Sequence, residues 1–266
     1  MDDQGIITLT NRPLTRQVRD LESQGITSNI KRTYSAVSSY VHDILDDHNL
    51  CLSYTPNSIF SDEDGLSQMA ALTVMRSIPR HFISREYDSG PFIMTLTDIN
   101  PGNIFVDDKW NVTGIVDLEW TCSLPAEFIH PPHWMTGKTE ANILIDAEFV
   151  QRHQEFKDLY EAEEASMHST YRIGIPSLDK RTLFYCLALF HTVHLYQIFH
   201  CHIKPLYLDE LNEDEEREGL CKFMAPFWGR DVANTINCKV AERESYILQV
   251  KEHFRTQLEE KRIRSG

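Results

Sequence analysis

The sequence predicts a mainly helical domain carrying one short β-hairpin. Three observations predict it. Apolar residues recur at helical spacing, as in Val37, Tyr40, Val41, Ile44 and Leu45. Two short apolar runs, 103–106 and 112–116, flank the polar turn Asp107-Asp108-Lys109-Trp110-Asn111. No repeat or linker divides the 266 residues, whose 41% apolar and 25% charged composition suits one core with a helical part.

The elements follow in order. Ile6-Ile7-Thr8-Leu9-Thr10 reads as a strand, ended by Asn11-Arg12-Pro13. The segment from Tyr34 to Asp47 reads as an amphipathic helix, and residues 51–64 as loop. Leu66, Met69, Ala70, Thr73 and Val74 begin another helix, which Pro79 bends or ends. The hairpin comes next, and Pro125, Pro131 and Pro132 punctuate a long loop after it. Helices are then expected over 140–168, 179–203 and 239–263, the last with an apolar stripe of Ile247, Val250, Phe254 and Leu258. The acidic run from Asp209 to Glu218 reads as a solvated loop or helix face.

Bulk properties narrow the partners. With 26 Lys and Arg against 40 Asp and Glu, the net charge is −14, which repels phosphate backbones and argues against nucleic acid. The short tail Lys261-Arg262-Ile263-Arg264 is the one basic cluster. Six scattered cysteines form no Cys-x-x-Cys, so buried reduced thiols are expected rather than a redox motif or structural zinc. The start Met1-Asp2-Asp3-Gln4-Gly5 lacks the features of a secretory signal. The most apolar run, Leu183 to Phe199, is interrupted by His191, His194 and Gln197, so it reads as a buried helix rather than a membrane span, which needs about 20 apolar residues. A cytoplasmic setting without membrane contact is the expectation.

The chemistry gathers around the hairpin. A hairpin brings the start of its first strand beside the end of its second. Asn103 begins the first run and Asp117 follows the second, so they should be neighbours. Asp98 lies on the loop feeding the same end. Two carboxylates and an amide at one mouth are hard oxygen donors of the kind that suit Mg²⁺ when phosphates complete its shell. Singly, Asp98 reads as a turn residue and Asp117 as a strand-end cap. Jointly, Asp-x-x-x-x-Asn followed by a hairpin to a second Asp follows the catalytic-loop logic of kinases, in which the first Asp accepts a hydroxyl proton and the other two hold metal.

The stretch Phe92-Ile93-Met94-Thr95-Leu96-Thr97-Asp98-Ile99-Asn100-Pro101-Gly102-Asn103-Ile104-Phe105-Val106-Asp107, with Ile115-Val116-Asp117-Leu118-Glu119-Trp120, resembles the aminoglycoside phosphotransferase and choline-kinase-like superfamily. Leu9-Thr10-Asn11-Arg12-Pro13-Leu14, Gly65-Leu66-Ser67-Gln68-Met69-Ala70 and His133-Trp134-Met135-Thr136-Gly137 resemble its fungal members. The resemblance covers most of residues 1–165 and is most specific over 91–120. It implies a protein-kinase-like C-terminal lobe spanning 1–266 as a single domain, with the catalytic loop and metal hairpin at 91–120 and a helical part at 140–266. It implies Asp98 as catalytic base, Asn103 and Asp117 as Mg²⁺ ligands, and Glu119 as a neighbouring acid behind them. The implied reaction is ATP- and Mg²⁺-dependent phosphoryl transfer to a small-molecule hydroxyl.

Two departures qualify this. The superfamily places His two residues before the base, to brace the loop, and Leu96 stands there. The first 60 residues hold only Gly5 and Gly25, so no Gly-rich phosphate loop is present, and no strand Lys precedes the catalytic loop. The N-terminal lobe is therefore expected to be absent from this chain, ATP to bind only where such a lobe exists, Mg²⁺ to bind weakly, and the chain to be inactive as it stands. The alternative is a non-catalytic binding or scaffold module.

Other motifs fall away. Gly137-Lys138-Thr139 echoes a P-loop, but the Gly required five residues earlier is Pro132, which has no N–H to offer phosphate. His191, His194, His200 and His202 share a predicted helix and read as packing residues rather than metal ligands. His130-Pro131-Pro132-His133 reads as a loop staple, and no Gly-x-Ser-x-Gly elbow supports a hydrolase.

Overall fold

The computed structural model describes residues 21–28, 32–118, 120–130, 132, 134, 147–167, 180–191, 194–207 and 213–264. Among them the protein is mainly helical, with two small antiparallel strand pairs. The helices are α1 (Val37–Tyr54), α2 (Asp62–Ser77), α3 (Ala147–Ser166), α4 (Lys180–Phe190), α5 (Leu195–Ile198), α6 (Glu213–Met224) and α7 (Val232–Arg264). The strands are β1 (Phe92–Leu96), β2 (Ile104–Val106), β3 (Val112–Ile115) and β4 (Thr121–Pro125).

Helix α1 begins at Ala36, which has no side-chain acceptor for the first free amides. Asp88, far along the chain, supplies the cap: its main-chain oxygen accepts from Val37 N–H at 2.7 Å and its carboxylate from Ser38 N–H at 2.8 Å. A negative charge there also suits the positive end of the helix. Helix α2 is capped locally. Ser61 accepts from Asp64 N–H at 3.2 Å, and Asp64 returns by accepting from Phe60 N–H at 2.8 Å. It stops at Ser77, as the residue before Pro79 disfavours helical backbone.

The main core lies among α1, α2, α4, α5 and β4. Val41, Ile44, Leu45, Met75, Phe128, Leu183, Tyr185 and Leu189 are fully buried there, joined by Phe149 from α3. A second cluster, Leu52, Ile59, Met69, Ala70, Cys221, Ala225 and Ile236, fixes α6 and the start of α7 against α2. Gly65 permits that approach: a Cβ added to it would meet Ile236 Cγ1 at 2.8 Å.

Side chains from one helix satisfy the open carboxyl end of another. The Tyr185 hydroxyl of α4 donates to Met75 O, in the last turn of α2, at 3.0 Å. His48 of α1 bonds Leu189 O, in the last turn of α4, at 2.8 Å. Those carbonyls have no partner within their own helices.

Several expectations need correction. The loop read over 51–64 is helix up to Tyr54 and again from Asp62. The helix expected over 179–203 breaks after Phe190, resumes at Leu195 and loosens into a π-helical turn over Phe199–Ile203. The last helix starts at Val232 rather than near 239. Residues 121–125, read as loop, form β4 against β1, from Phe92↔Pro125 to Leu96↔Thr121. The hairpin expectation holds, with Ile104↔Ile115 and Phe105↔Gly114 paired and a bulge before Val106↔Val112. None of the six cysteines forms a disulfide, and Cys201 and Cys238 are exposed while Cys122, Cys186 and Cys221 are buried. The strand read at Ile6–Thr10 lies outside the described residues. Among the described residues no helix is long and apolar enough to cross a membrane.

Candidate functional site

The β1–β4 ladder frames the β2–β3 hairpin. The chain leaves β1 at Leu96, turns through 97–103, runs out and back through the hairpin, and re-enters the ladder at Thr121. Asp98, Asn103 and Asp117 lie on the two crossings between ladder and hairpin. The crossings are stitched together: the Thr97 hydroxyl donates to Trp120 O at 2.5 Å.

The loop bearing Asp98 is built from short-range bonds. Asn100 Oδ1 accepts from Gly102 N–H at 2.9 Å and opens a 3₁₀ turn over Pro101–Asn103. Asn103 N–H closes it on Asn100 O at 3.0 Å. Trp134 braces this loop from outside, with its indole N–H donating to Ile99 O at 2.7 Å. Sequence reasoning placed no role on Thr97, Trp120 or Trp134. The signal for Trp134 was its place in the segment 133–137 that shares the family resemblance.

Asp98 and Asp117 line one small cleft, together with Leu96, Ile99, Ile115, Val116 and Leu118, with room for about one water. Both carboxylates are exposed. Asp117 sits just past β3 with φ 61°, in the left-handed region that non-glycine residues seldom occupy. Backbone held there is stored strain, which concentrates at working sites, although Asp is among the residues that tolerate it best. Asn103 joins them through the backbone, its oxygen accepting from Val116 N–H at 3.0 Å. Its Nδ2 is buried with no partner. Glu119 lies outside the described residues. Asp98 and Asp117 thus line one cleft, and Asn103 adjoins it through its backbone.

The donor chemistry fits a hard cation only in part. Two carboxylates and an amide match what Mg²⁺ takes from protein when phosphate oxygens and water fill the rest. Among the described residues no three His, Cys, Asp or Glu side chains group closely enough to hold a metal by themselves. The histidines behave as packing residues. His202 stacks on Phe184 at 3.8 Å, His200 Nε2 meets Ser67 Oγ at 2.8 Å, and His194 Nδ1 meets Gln197 Oε1 at 2.8 Å.

The turn at the far end of the hairpin is self-contained. Asp107 Oδ1 accepts from Lys109 and Asn111 N–H, both at 2.9 Å, and its Oδ2 from Asn111 Nδ2 at 2.8 Å. The Asn111 side chain, then these amides, hold the Asp107 carboxyl below its ordinary value. A further carboxylate, Glu127, is buried just past β4. Its Oε1 accepts from Ser84 N–H at 2.9 Å, while burial and then the nearby Asp88 charge push its carboxyl up. It stands at the opposite end of the β1–β4 ladder from Asp98 and ties the entry to β1 rather than the cleft. No protein family, curated protein or solved structure matches the chain.

Proposed function

We propose that Asp98, Asn103 and Asp117 form the acceptor- and metal-bearing half of a phosphotransferase site, on a lobe of the kinase-like, aminoglycoside-phosphotransferase type. The observation that carries this reading is that Asp98 and Asp117 line one cleft, with Asp117 held at φ 61°. In this reading the Asp98 carboxylate accepts the proton of a small-molecule hydroxyl as that oxygen bonds to the terminal phosphorus of ATP and the bond to ADP breaks. The proton then passes to solvent, which reaches the exposed Asp98 directly. Asn103 and Asp117 would hold Mg²⁺, which would neutralise charge on the phosphate oxygens. Trp134 and Thr97 keep the loop still, so that the base and the acceptor oxygen meet without reorganisation. The chain's acidity suits a cationic acceptor.

Mg²⁺ provides the test. At about ten times a millimolar dissociation constant, mass action stabilises the fold by about 1.4 kcal/mol. For a protein of this size that raises the melting temperature by roughly 3–5 °C. The wild type is expected to show this rise, and Asp117→Ala to lose it. Equal responses in both would remove Asp117 from the ligand set, and the site reading with it.

A second reading is a binding module without catalysis, favoured by Leu96 and by the lack of a Gly-rich loop in residues 1–60. Both readings expect background ATP turnover from these 266 residues, because the cleft stays open to water, where charge stabilisation is weak. Robust Mg²⁺-dependent phosphorylation of a hydroxyl compound, lost in Asp98→Asn, would overturn that expectation and end the second reading.

A further inference from the structure

A second cavity, of about 240 Å³, is lined by His81, Phe82, Arg181, Leu206 and Tyr207. It shares no residue with the Asp98 cleft and is far roomier. Its lining comes from separate stretches of chain: the 3₁₀ turn Pro79–His81 with Phe82, the first turn of α4, and the 3₁₀ turn Lys204–Leu206 with Tyr207. These stretches are fastened to one another. The hydroxyl of Thr182, next to Arg181, donates to Phe82 O at 3.0 Å, and His81 Nδ1 meets Tyr207 Oη at 2.8 Å.

The lining joins apolar surface to polar ends. Phe82 is buried, its ring stacked on Tyr185 at 4.7 Å and set edge-on to Tyr207 at 6.4 Å. Leu206 adds aliphatic surface. Beside them stand a guanidinium, an imidazole and a phenol. Burial pushes the Tyr207 phenol up, and the nearby Arg181 charge opposes it, so these two are electrostatic neighbours. The pair of His81 and Tyr207 always keeps one hydrogen to give. When the phenol donates to Nδ1, the neutral ring carries its N–H on Nε2; when Nδ1–H donates, the phenol O–H is left to donate elsewhere.

The charge of this place runs against that of the chain. None of the described residues lining the cavity is acidic, although the chain has 40 Asp and Glu against 26 Lys and Arg. Arg181 also stands in the first turn of α4, at the positive end of that helix. A guanidinium fork matches a carboxylate through two parallel hydrogen bonds. One permanent cation balances one negative charge, which favours a carboxylate over the greater charge of a phosphate ester. Phe82 and Leu206 favour an apolar body behind that charge. We propose that this cavity binds a small aryl carboxylate. Its carboxylate pairs with Arg181 and accepts from the His81–Tyr207 pair, and its ring lies against Phe82 and Leu206. The proposal does not need the phosphotransferase reading, since the two sites share no residue.

Calorimetric titration with benzoate tests it, using wild type, Arg181→Gln and Tyr207→Phe. Both side chains are exposed, so the variants should fold, with circular dichroism as the check. Wild type is expected to bind benzoate with a Kd of about 1 mM, ordinary for so small a ligand. The His81 ring resonances should shift in NMR spectra with the same midpoint. Arg181→Gln should weaken binding roughly tenfold or more, the effect of losing a charge-assisted hydrogen bond, and Tyr207→Phe roughly fivefold. Benzyl alcohol, which keeps the ring without the charge, and inorganic phosphate, which keeps charge without the ring, should each bind roughly tenfold more weakly than benzoate. Absence of benzoate binding up to about 20 mM overturns the proposal. So does equal binding by wild type and Arg181→Gln, which would place benzoate elsewhere. Benzyl alcohol binding as tightly as benzoate would make the cavity merely apolar, and phosphate binding as tightly would make it a plain anion site; either result overturns the proposal as well.

Discussion

Replacing Tyr185 with alanine is expected to cost about 3–5 kcal/mol of folding stability, measured by denaturant unfolding. Tyr185 is fully buried in the main core, and its ring stacks on Phe82 with centroids 4.7 Å apart and planes within 4°. Truncation leaves a cavity where α4 meets the segment after α2, and close-packed neighbours refill such space only in part. It also strips the donor from Met75 O, a carbonyl in the last turn of α2. Burial pushes the hydroxyl well above its ordinary value, so it remains a donor over the whole working pH range. Tyr185→Phe separates the two effects: it keeps the stack and should cost only about 1 kcal/mol. Similar losses in both variants would mean that the hydrogen bond, not the packing, dominates at this position.

Acid is expected to unfold the protein partly through His48. Burial, chiefly, holds this imidazole down at about 4, from an ordinary 6.5, with the nearby His191 and Arg76 charges lowering it further and the bond to Leu189 O opposing. The neutral ring is the form the fold accepts, with Nε2–H donating to Leu189 O. A group depressed in the folded state contributes stability above its unfolded value and loses it as pH falls toward its folded value. The window is therefore from pH 6.5 down to about 4. At about 1.4 kcal/mol per pKa unit, the loss across it is about 3 kcal/mol. Carboxylates also titrate near the lower end, so the informative measurement is the difference from His48→Gln, whose amide can still donate to Leu189 O. The variant should lose about 3 kcal/mol less over that window. Parallel stability curves would show that His48 is hydrated when folded.

Much of the candidate site was legible in the chain. Asp98, Asn103 and Asp117 were picked out by residue type and order alone, because a hairpin's geometry brings its two ends together whatever surrounds it. Their local fixtures were less visible. The Asn100 turn follows from an Asx residue before Pro-Gly, a short-range bond that a sequence reader can anticipate. The left-handed backbone at Asp117 carries no such signature, because Asp allows that conformation without demanding it. The indole brace from Trp134 to Ile99 spans 35 residues, and no local pattern announces it.

The same division runs through the fold. The sequence by itself determined the helices α1 and α2, the hairpin and the apolar stripe of α7, because each is written in periodicity and turn chemistry within a few residues. Tertiary structure alone decided the β1–β4 pair, since each strand is too short to declare itself and exists by finding the other. It also decided where the 179–203 segment breaks. The stripe of α7 shows the limit most plainly. Periodicity says which residues share a face, but whether that face is covered depends on what lies opposite. Among the described residues, Phe254 and Leu258 meet solvent, while the core that holds Ile236 lies at the start of the helix.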